Sequence, residues 1–417
     1  MHRSLALLGV WGWSVGCAGG AQTRGDYGSG SGAVPAKART GLEVLLTDSL
    51  HLVRNRRVGL VTNQAGVDAQ GISDVVRLRT AGVHLVALFS PEHGFRGAAD
   101  PGAAVASSED SATGLPIYSL YGRTSAPTSE MLRGIDVMLV DLQDVGARYY
   151  TYLATTVEVM KGAGAAAIPV VVLDRPDPIG GLVQGNVLRP EHITNVGRLE
   201  VAMRHGMTLG ELARLARGDL GLAADLTVVP VDGWRRSDPI DRTGLPFVPP
   251  SPNLRTVESL FHYPGLCLFE GTNLSVGRGS DAPFEQIGAP WLDTAAVLRE
   301  VRAASLPGVR FAGIGFRPSR PGDGKYADTT LAGIRLTVTD RKTYDPTATA
   351  VHLLAAVRRR HSTEFAWIAA HFDRLAGDTA LRQAIDAGTD PRTIVAGWKA
   401  ERERFLTRRR AALLYPE

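Results

Sequence analysis

Two cysteines in 417 residues are too few for a disulfide framework. Cys17 lies in a leader-like stretch, so its removal or lipidation would leave Cys267 without an intramolecular partner. Cys267 sits inside Leu266-Cys267-Leu268-Phe269, which reads as a small buried hydrophobe and not as a nucleophile. Aromatic residues are also scarce, at 6%, and the chain offers no interleaved aromatic and basic platform on which bases could stack. The formal charge of +4 is small for this length. The basic runs Arg358-Arg359-Arg360 and Arg408-Arg409-Arg410 fit solvated helix faces. Nucleic acid is therefore not an expected partner. No G-x-G-x-x-G turn follows the first strand and no Walker loop occurs, so no nucleotide cofactor is expected. H-E-x-x-H and similar short ligand spacings are missing too, and no resident metal is expected.

The amino terminus differs in kind from the rest of the chain. Arg3 precedes the apolar stretch Leu5 to Cys17, which is too short to span a bilayer and has the shape of a secretory leader. Ser14-Val15-Gly16-Cys17 resembles a lipobox whose cysteine is lipidated after cleavage. Cleavage after Gly20 or Ala21 is the competing expectation. Residues 1–20 are thus read as a leader and residues 21–40, rich in Gly, Ser and Ala, as a flexible tether. The expected location is periplasmic, or membrane-anchored as a lipoprotein.

From Gly41 onward short apolar runs alternate with amphipathic or Ala-rich segments. Strands are expected at Arg57–Thr62, His84–Ser90, Asp136–Asp141, Ile168–Asp174 and Leu226–Val231, with helices over 72–80, 149–162 and 207–217. That alternation predicts an α/β fold, a Rossmann-like and mostly parallel sheet covered on both faces. Polar residues gather where these strands stop: Asn63 and Gln64, Glu92 and His93, Asp141 to Asp144, Asp174 to Asp177. Open α/β sheets bind ligands beyond the carboxyl ends of their strands. The proline-dense segment Thr243–Asn253 marks a domain boundary or a stiff wall beside the site. Residues 41–252 are read as the Rossmann-like domain. Residues 253–417 are read as a smaller α+β domain, with strands at 309–316 and 333–338 and helices over 294–304, 347–360, 378–387 and 391–412.

Six blocks carry a resemblance. They are Thr62-Asn-Gln-Ala-Gly66, Ser90-Pro-Glu-His-Gly-Phe-Arg-Gly97, Thr113-Gly-Leu-Pro-Ile-Tyr-Ser-Leu-Tyr-Gly122, Asp141-Leu-Gln-Asp-Val-Gly-Ala-Arg-Tyr-Tyr-Thr-Tyr152, Leu173-Asp-Arg-Pro-Asp-Pro-Ile-Gly-Gly181 and Leu268-Phe-Glu-Gly-Thr-Asn-Leu-Ser-Val-Gly-Arg-Gly279. In this order they resemble a family of exo-β-N-acetylmuramidases formerly classed as a bacterial domain of unknown function. The likeness runs from about Gly41 to Glu417. It implies a Rossmann-like domain, a smaller second domain and a cleft. It also implies release of N-acetylmuramic acid from non-reducing ends of peptidoglycan fragments; no cofactor is expected. Leu331 stands where the pattern leads one to expect a cysteine.

Glycoside hydrolysis needs a carboxyl that protonates the leaving oxygen and a group that stabilises oxocarbenium character. The resemblance places the acid at Glu92. Asp141 and Asp144 are the further carboxylates that could act as nucleophile or base or orient the acetamido group, and the substrate's own acetamido oxygen is a third route. Asp144 alone fits a helix cap equally well. N-acetylmuramic acid carries a lactyl carboxylate, so a cation is expected, and Arg148, Arg175 and Arg278 are the candidates. Asn63, His93, Tyr149, Glu270 and Asn273 complete the expected substrate contacts, with Tyr150 and Tyr152 beside them. Two other classes stay open: a metal-dependent hydrolase built on His93, Asp141, Asp144, Asp174 and His205, and a cell-wall-binding lipoprotein without catalysis.

Overall fold

The computed structural model describes residues 37–417; the leader, Cys17 and most of the tether lie outside the described residues. The last tether residues are docked, with Ala38 and Arg39 donating from their backbone N–H groups to the Thr243 and Asp232 carbonyls. Thr40 then caps α1 (Gly41–Asp48) in a reciprocal box with Glu43.

The larger part is a seven-stranded sheet. Its first strands, β1 (Arg57–Thr62) and β2 (His84–Ser90), flank α2 (Asp74–Thr80) in the chain. The short β3 (Ser108–Glu109) and β4 (Pro116–Ser119) follow, then β5 (Val137–Asp141), α3 (Tyr152–Ala165) and β6 (Val170–Leu173). A hairpin of β7 (Gln184–Val187) and β8 (Ala202–Arg204) precedes α4 (Leu209–Asp219) and β9 (Leu226–Val229). The order is β3-β4-β2-β1-β5-β6-β9, with every neighbouring pair parallel except β3 and β4. Alternation decides which face each side chain serves. Val58, Leu60, Val137, Leu139, Val171 and Leu173 pack with Leu42 and Leu45 of α1 and Val75 and Leu78 of α2. Their neighbours Val61, Met138, Val140, Val170 and Val172 join Leu153, Val157 and Met160 of α3 and Leu212 of α4. Both faces are covered, which is why these strands read as unbroken apolar runs.

The smaller part starts with α5 (Val257–Leu266) and an antiparallel sheet of β10 (Gln286–Ala289), β11 (Val309–Phe316) and β12 (Leu331–Val338), in the order β10-β12-β11. Helix α6 (Thr294–Ala303) lies between β10 and β11, and five helices follow β12: α7 (Pro346–Arg360), α8 (Ala369–Ala376), α9 (Ala380–Asp386), α10 (Pro391–Gly397) and α11 (Lys399–Arg409). Gly265 is where α5 crosses the start of α7, and a Cβ there would overlap the Pro346 carbonyl. The tail then returns to the first sheet. Tyr415 donates its hydroxyl to Asp174 Oδ2 at 2.5 Å, accepts from the Val231 N–H, and packs edge-on against Trp234. No helix among the described residues is long and apolar enough to cross a membrane.

The structure departs from the sequence-based expectation at several elements, α1 and β10 among them. The helix expected over 149–162 begins only at Tyr152, because Tyr149 and Tyr150 are turned toward the Pro264 and Pro250 carbonyls. The single helix expected over 391–412 breaks at Trp398 into α10 and α11. Helix α5 is absent from the expectation because Pro264 sits inside its last turn, where a proline argues against helix. Helix α8 and the β7–β8 hairpin are absent from it as well.

Candidate active site

A cavity of about 280 Å³ opens beside the carboxyl end of β2. That is near the lower end of roughly 300–1,000 Å³ for ligand sites and suits one sugar residue better than a long chain. Its walls come from both halves of the chain. Glu92, His93 and Gly102 follow β2, Tyr149 to Thr151 precede α3, and Ser251 and Leu254 close the proline-dense segment. Opposite them stand Tyr263, Cys267, Glu270, Arg278, Phe284 and Asp323, with His371, Arg374 and Leu375 of α8.

The backbone at the end of β2 is bent by two consecutive left-handed residues, His93 at φ 69° and Gly94 at φ 77°. That conformation costs a non-glycine residue about 1–2 kcal/mol and is typical of functional turns. It brings Glu92 and His93 together on the cavity lining. Glu92 is only 8% exposed. Its Oε1 accepts from the Gly102 N–H at 2.8 Å and its Oε2 from the Thr151 hydroxyl at 2.6 Å, so the carboxyl is held at both oxygens. The Tyr121 phenol is pushed up to about 12, first by burial and then by the charge and hydrogen bond of Glu92; it stays protonated as a donor. His93 Nδ1 lies 2.8 Å from the Ala99 carbonyl, to which it donates.

Across the cavity Tyr263 meets Tyr149, Tyr150 and Phe284 edge-on, at 6.2, 6.4 and 4.9 Å between centroids. These rings form an apolar wall of the kind that receives a sugar face. Glu270 and Arg278 form an ion pair, with Nε and Nη2 donating to Oε1 at 2.7 and 2.6 Å. Cys267 also lines the cavity, but burial pushes its thiol well above its ordinary value, so it contributes bulk and not a thiolate.

Other expected residues lie elsewhere. Asp141 is bound by Arg175 through Nε at 2.5 Å and Nη2 at 2.9 Å, and neither lines the cavity. Asp141 pairs in register with Thr62 across β1 and β5, where the strand order reverses. The crevice at this switch point is thus filled by an internal ion pair. Asp144 accepts from the Gly146 N–H at 2.8 Å and lies 3.3 Å from His205 Nε2; it does not cap α3, whose N-cap position is Thr151, without a side-chain cap. Arg148 spends its guanidinium on the Asn186, Val201, Leu375 and Ala376 carbonyls and the Asn186 amide oxygen. Asn63 donates to the Tyr152 hydroxyl. Asn273 bridges backbone at Glu364 and Ala366. Asp174 receives the Thr208 hydroxyl and the Gly210 N–H at the start of α4. Among the described residues no three His, Cys, Asp or Glu side chains converge as a cation site. The sequence gives no sign that Tyr121, Thr151, Tyr263, Phe284, Asp323, His371 and Arg374 line the cavity. Tyr121 and Thr151 do lie inside two of the six family-like blocks, whereas α8 carries no motif.

Comparison with known proteins gives the family of the chain. Residues 58–258 match the N-terminal and residues 261–415 the C-terminal domain profile of exo-beta-N-acetylmuramidase NamZ. The peptidoglycan beta-N-acetylmuramidase NamZ of Bacillus subtilis (strain 168) is 41% identical over 382 residues, covering 91% of this chain and 92% of that protein. Two solved structures of DUF1343-family proteins from Bacteroides fragilis NCTC 9343 superpose with TM-scores of 0.83 and 0.75. They are 32% and 30% identical, cover 91% and 92% of this chain, and are themselves covered to 99% and 100%. A chain related to this extent, over nine-tenths of its length, to a peptidoglycan beta-N-acetylmuramidase is a glycoside hydrolase. The chain belongs to the exo-beta-N-acetylmuramidase NamZ family.

Proposed function

We propose that this protein releases N-acetylmuramic acid from non-reducing ends of peptidoglycan fragments and that Glu92 protonates the departing oxygen. The observation that carries the assignment is the place of Glu92 on the lining of a one-sugar cavity, where Gly102 and Thr151 fix the direction of its carboxyl. A cavity of that size supports exo action, since one terminal residue fills it. His93 and Tyr121 supply polar groups beside Glu92 for sugar hydroxyls. The tyrosine wall receives the ring face. Beside Glu92, the carboxylates on the cavity lining are Glu270 and Asp323, and Glu270 is neutralised by Arg278. In the same reading the protein is exported, with Cys17 as the attachment point of a lipid.

The test is Glu92→Gln on a chromogenic β-glycoside of N-acetylmuramic acid. General acid catalysis contributes roughly 10²–10⁴-fold, so turnover should fall by that order while the fold is kept. Near wild-type turnover would remove Glu92 from the role. The anomeric form of the first product, read by NMR, separates retention from inversion.

A further inference from the structure

We infer that Arg374, on α8, is the residue that recognises the lactyl carboxylate and so selects N-acetylmuramic acid over sugars lacking that group. The inference rests on the muramidase reading of the cavity and follows from the fate of each cation near it. Arg148 and Arg175 do not line the cavity and have internal partners. Arg278 lines it but is cancelled by Glu270 at 2.6 Å. Lys325 gives its ammonium to the Phe269, Glu270 and Leu274 carbonyls. Arg374 alone among the described lining residues is a cation without a carboxylate within ion-pair distance, and its side chain is exposed.

Its direction is set by a neighbour. Arg374 Nη2 lies 2.5 Å from His371 Nδ1, one helical turn earlier on α8, and His371 lines the cavity too. An arginine can only donate, so His371 accepts as the neutral imidazole. Burial and the adjacent Arg374 hold His371 below its ordinary value, which favours that form. One edge of the guanidinium is thus anchored, and the remaining N–H groups are left for a planar anion such as a carboxylate. Arg374 also stands near enough to Tyr121 to oppose the effect of Glu92 on that phenol. The cation therefore shares the cavity with the acid but makes no ion pair with it. A lactyl group on the sugar whose glycosidic oxygen Glu92 protonates would meet this arrangement.

The experiment measures binding, not turnover, so it is independent of the role of Glu92. Calorimetric titration compares free N-acetylmuramic acid with its methyl ester, which keeps the lactyl ether and loses only the charge. The wild type should prefer the acid by about tenfold or more, and Arg374→Gln should bring the two ligands within about twofold of each other. Arg374→Lys should restore part of the preference, and added salt should shrink it in the wild type. A preserved preference in Arg374→Gln overturns the assignment, as does an equal loss of both ligands. Failure of the wild type to bind either sugar overturns the muramidase reading and the assignment together. Wild-type binding without preference overturns the assignment alone.

Discussion

Arg148 allows the sharpest separation of a structural from a substrate role. It is 2% exposed and makes five hydrogen bonds, at 2.9 to 3.3 Å. Two of them run to Leu375 and Ala376, the terminal carbonyls of α8, where a cation also meets the negative end of the helix dipole. The others hold the β7–β8 hairpin. Arg148→Met keeps the length of the stem and removes every donor. Hydrogen bonds from charged groups contribute about 1.5–3 kcal/mol each, but they are not additive, and burying the guanidinium already costs several kcal/mol. The net loss should be about 3–5 kcal/mol, the range for breaking a buried charged network. Arg148→Lys has three donors for five acceptors and should fall between. Urea unfolding reads the stability. Kinetics on charged and neutral sugar glycosides reads the site, and both should weaken alike as α8 loosens. A Met variant of wild-type stability that loses only the carboxylate-bearing sugar would refute the structural reading and return Arg148 to the substrate.

Two further outcomes are expected of buried groups outside the cavity. Asp177 is pushed up to about 7, chiefly by burial, with His205 opposing and Asp144 reinforcing the shift. A carboxyl raised on folding stabilises the protein below its unfolded value near 4 and loses that contribution as pH rises through about 7. The wild type should therefore lose stability relative to Asp177→Asn between pH 4 and 7, by roughly 4 kcal/mol at most, with no further change above. A difference independent of pH in thermal melts would contradict the buried-acid account. Gly265→Ala should destabilise by about 1–3 kcal/mol through overpacking, since its Cβ would meet the Pro346 backbone and not a movable side chain. A neutral result in urea would mean that α5 and α7 separate more freely than their packing implies.

The parallel strands were legible because full burial on both faces writes them as continuous apolar runs between glycine and proline. The Glu92–His93 turn was legible for the same reason, as the polar end of such a run. What the sequence could not show is which strand-end carboxylates are spent inside the protein. Asp141 looks as free as Glu92 until Arg175, 34 positions later, is seen on it. The cation expected for the lactyl group illustrates the same gap. Arg148, Arg175 and Arg278 all lie inside the family-like blocks, whereas Arg374 sits in a helical turn without a motif and reaches the cavity only because of where α8 docks. Proline at 264 hid α5 by a rule sound for helix interiors and weaker in a last turn.

The return of the tail to the first sheet has a consequence for how the chain is made. Asp174, at the end of β6, finds its phenolic partner 241 residues later in Tyr415, and Glu211 of α4 receives the Leu414 N–H. On a ribosome that adds about 5–20 residues per second, the first sheet waits many seconds for these bonds after β6 has emerged. During that interval Asp174 and Glu211 lack contacts that the finished protein supplies. Any part of the larger half that forms during synthesis forms without these closing contacts. Contacts of such long sequence separation slow folding, and a chain shortened before Tyr415 should keep its sheet but unfold more readily.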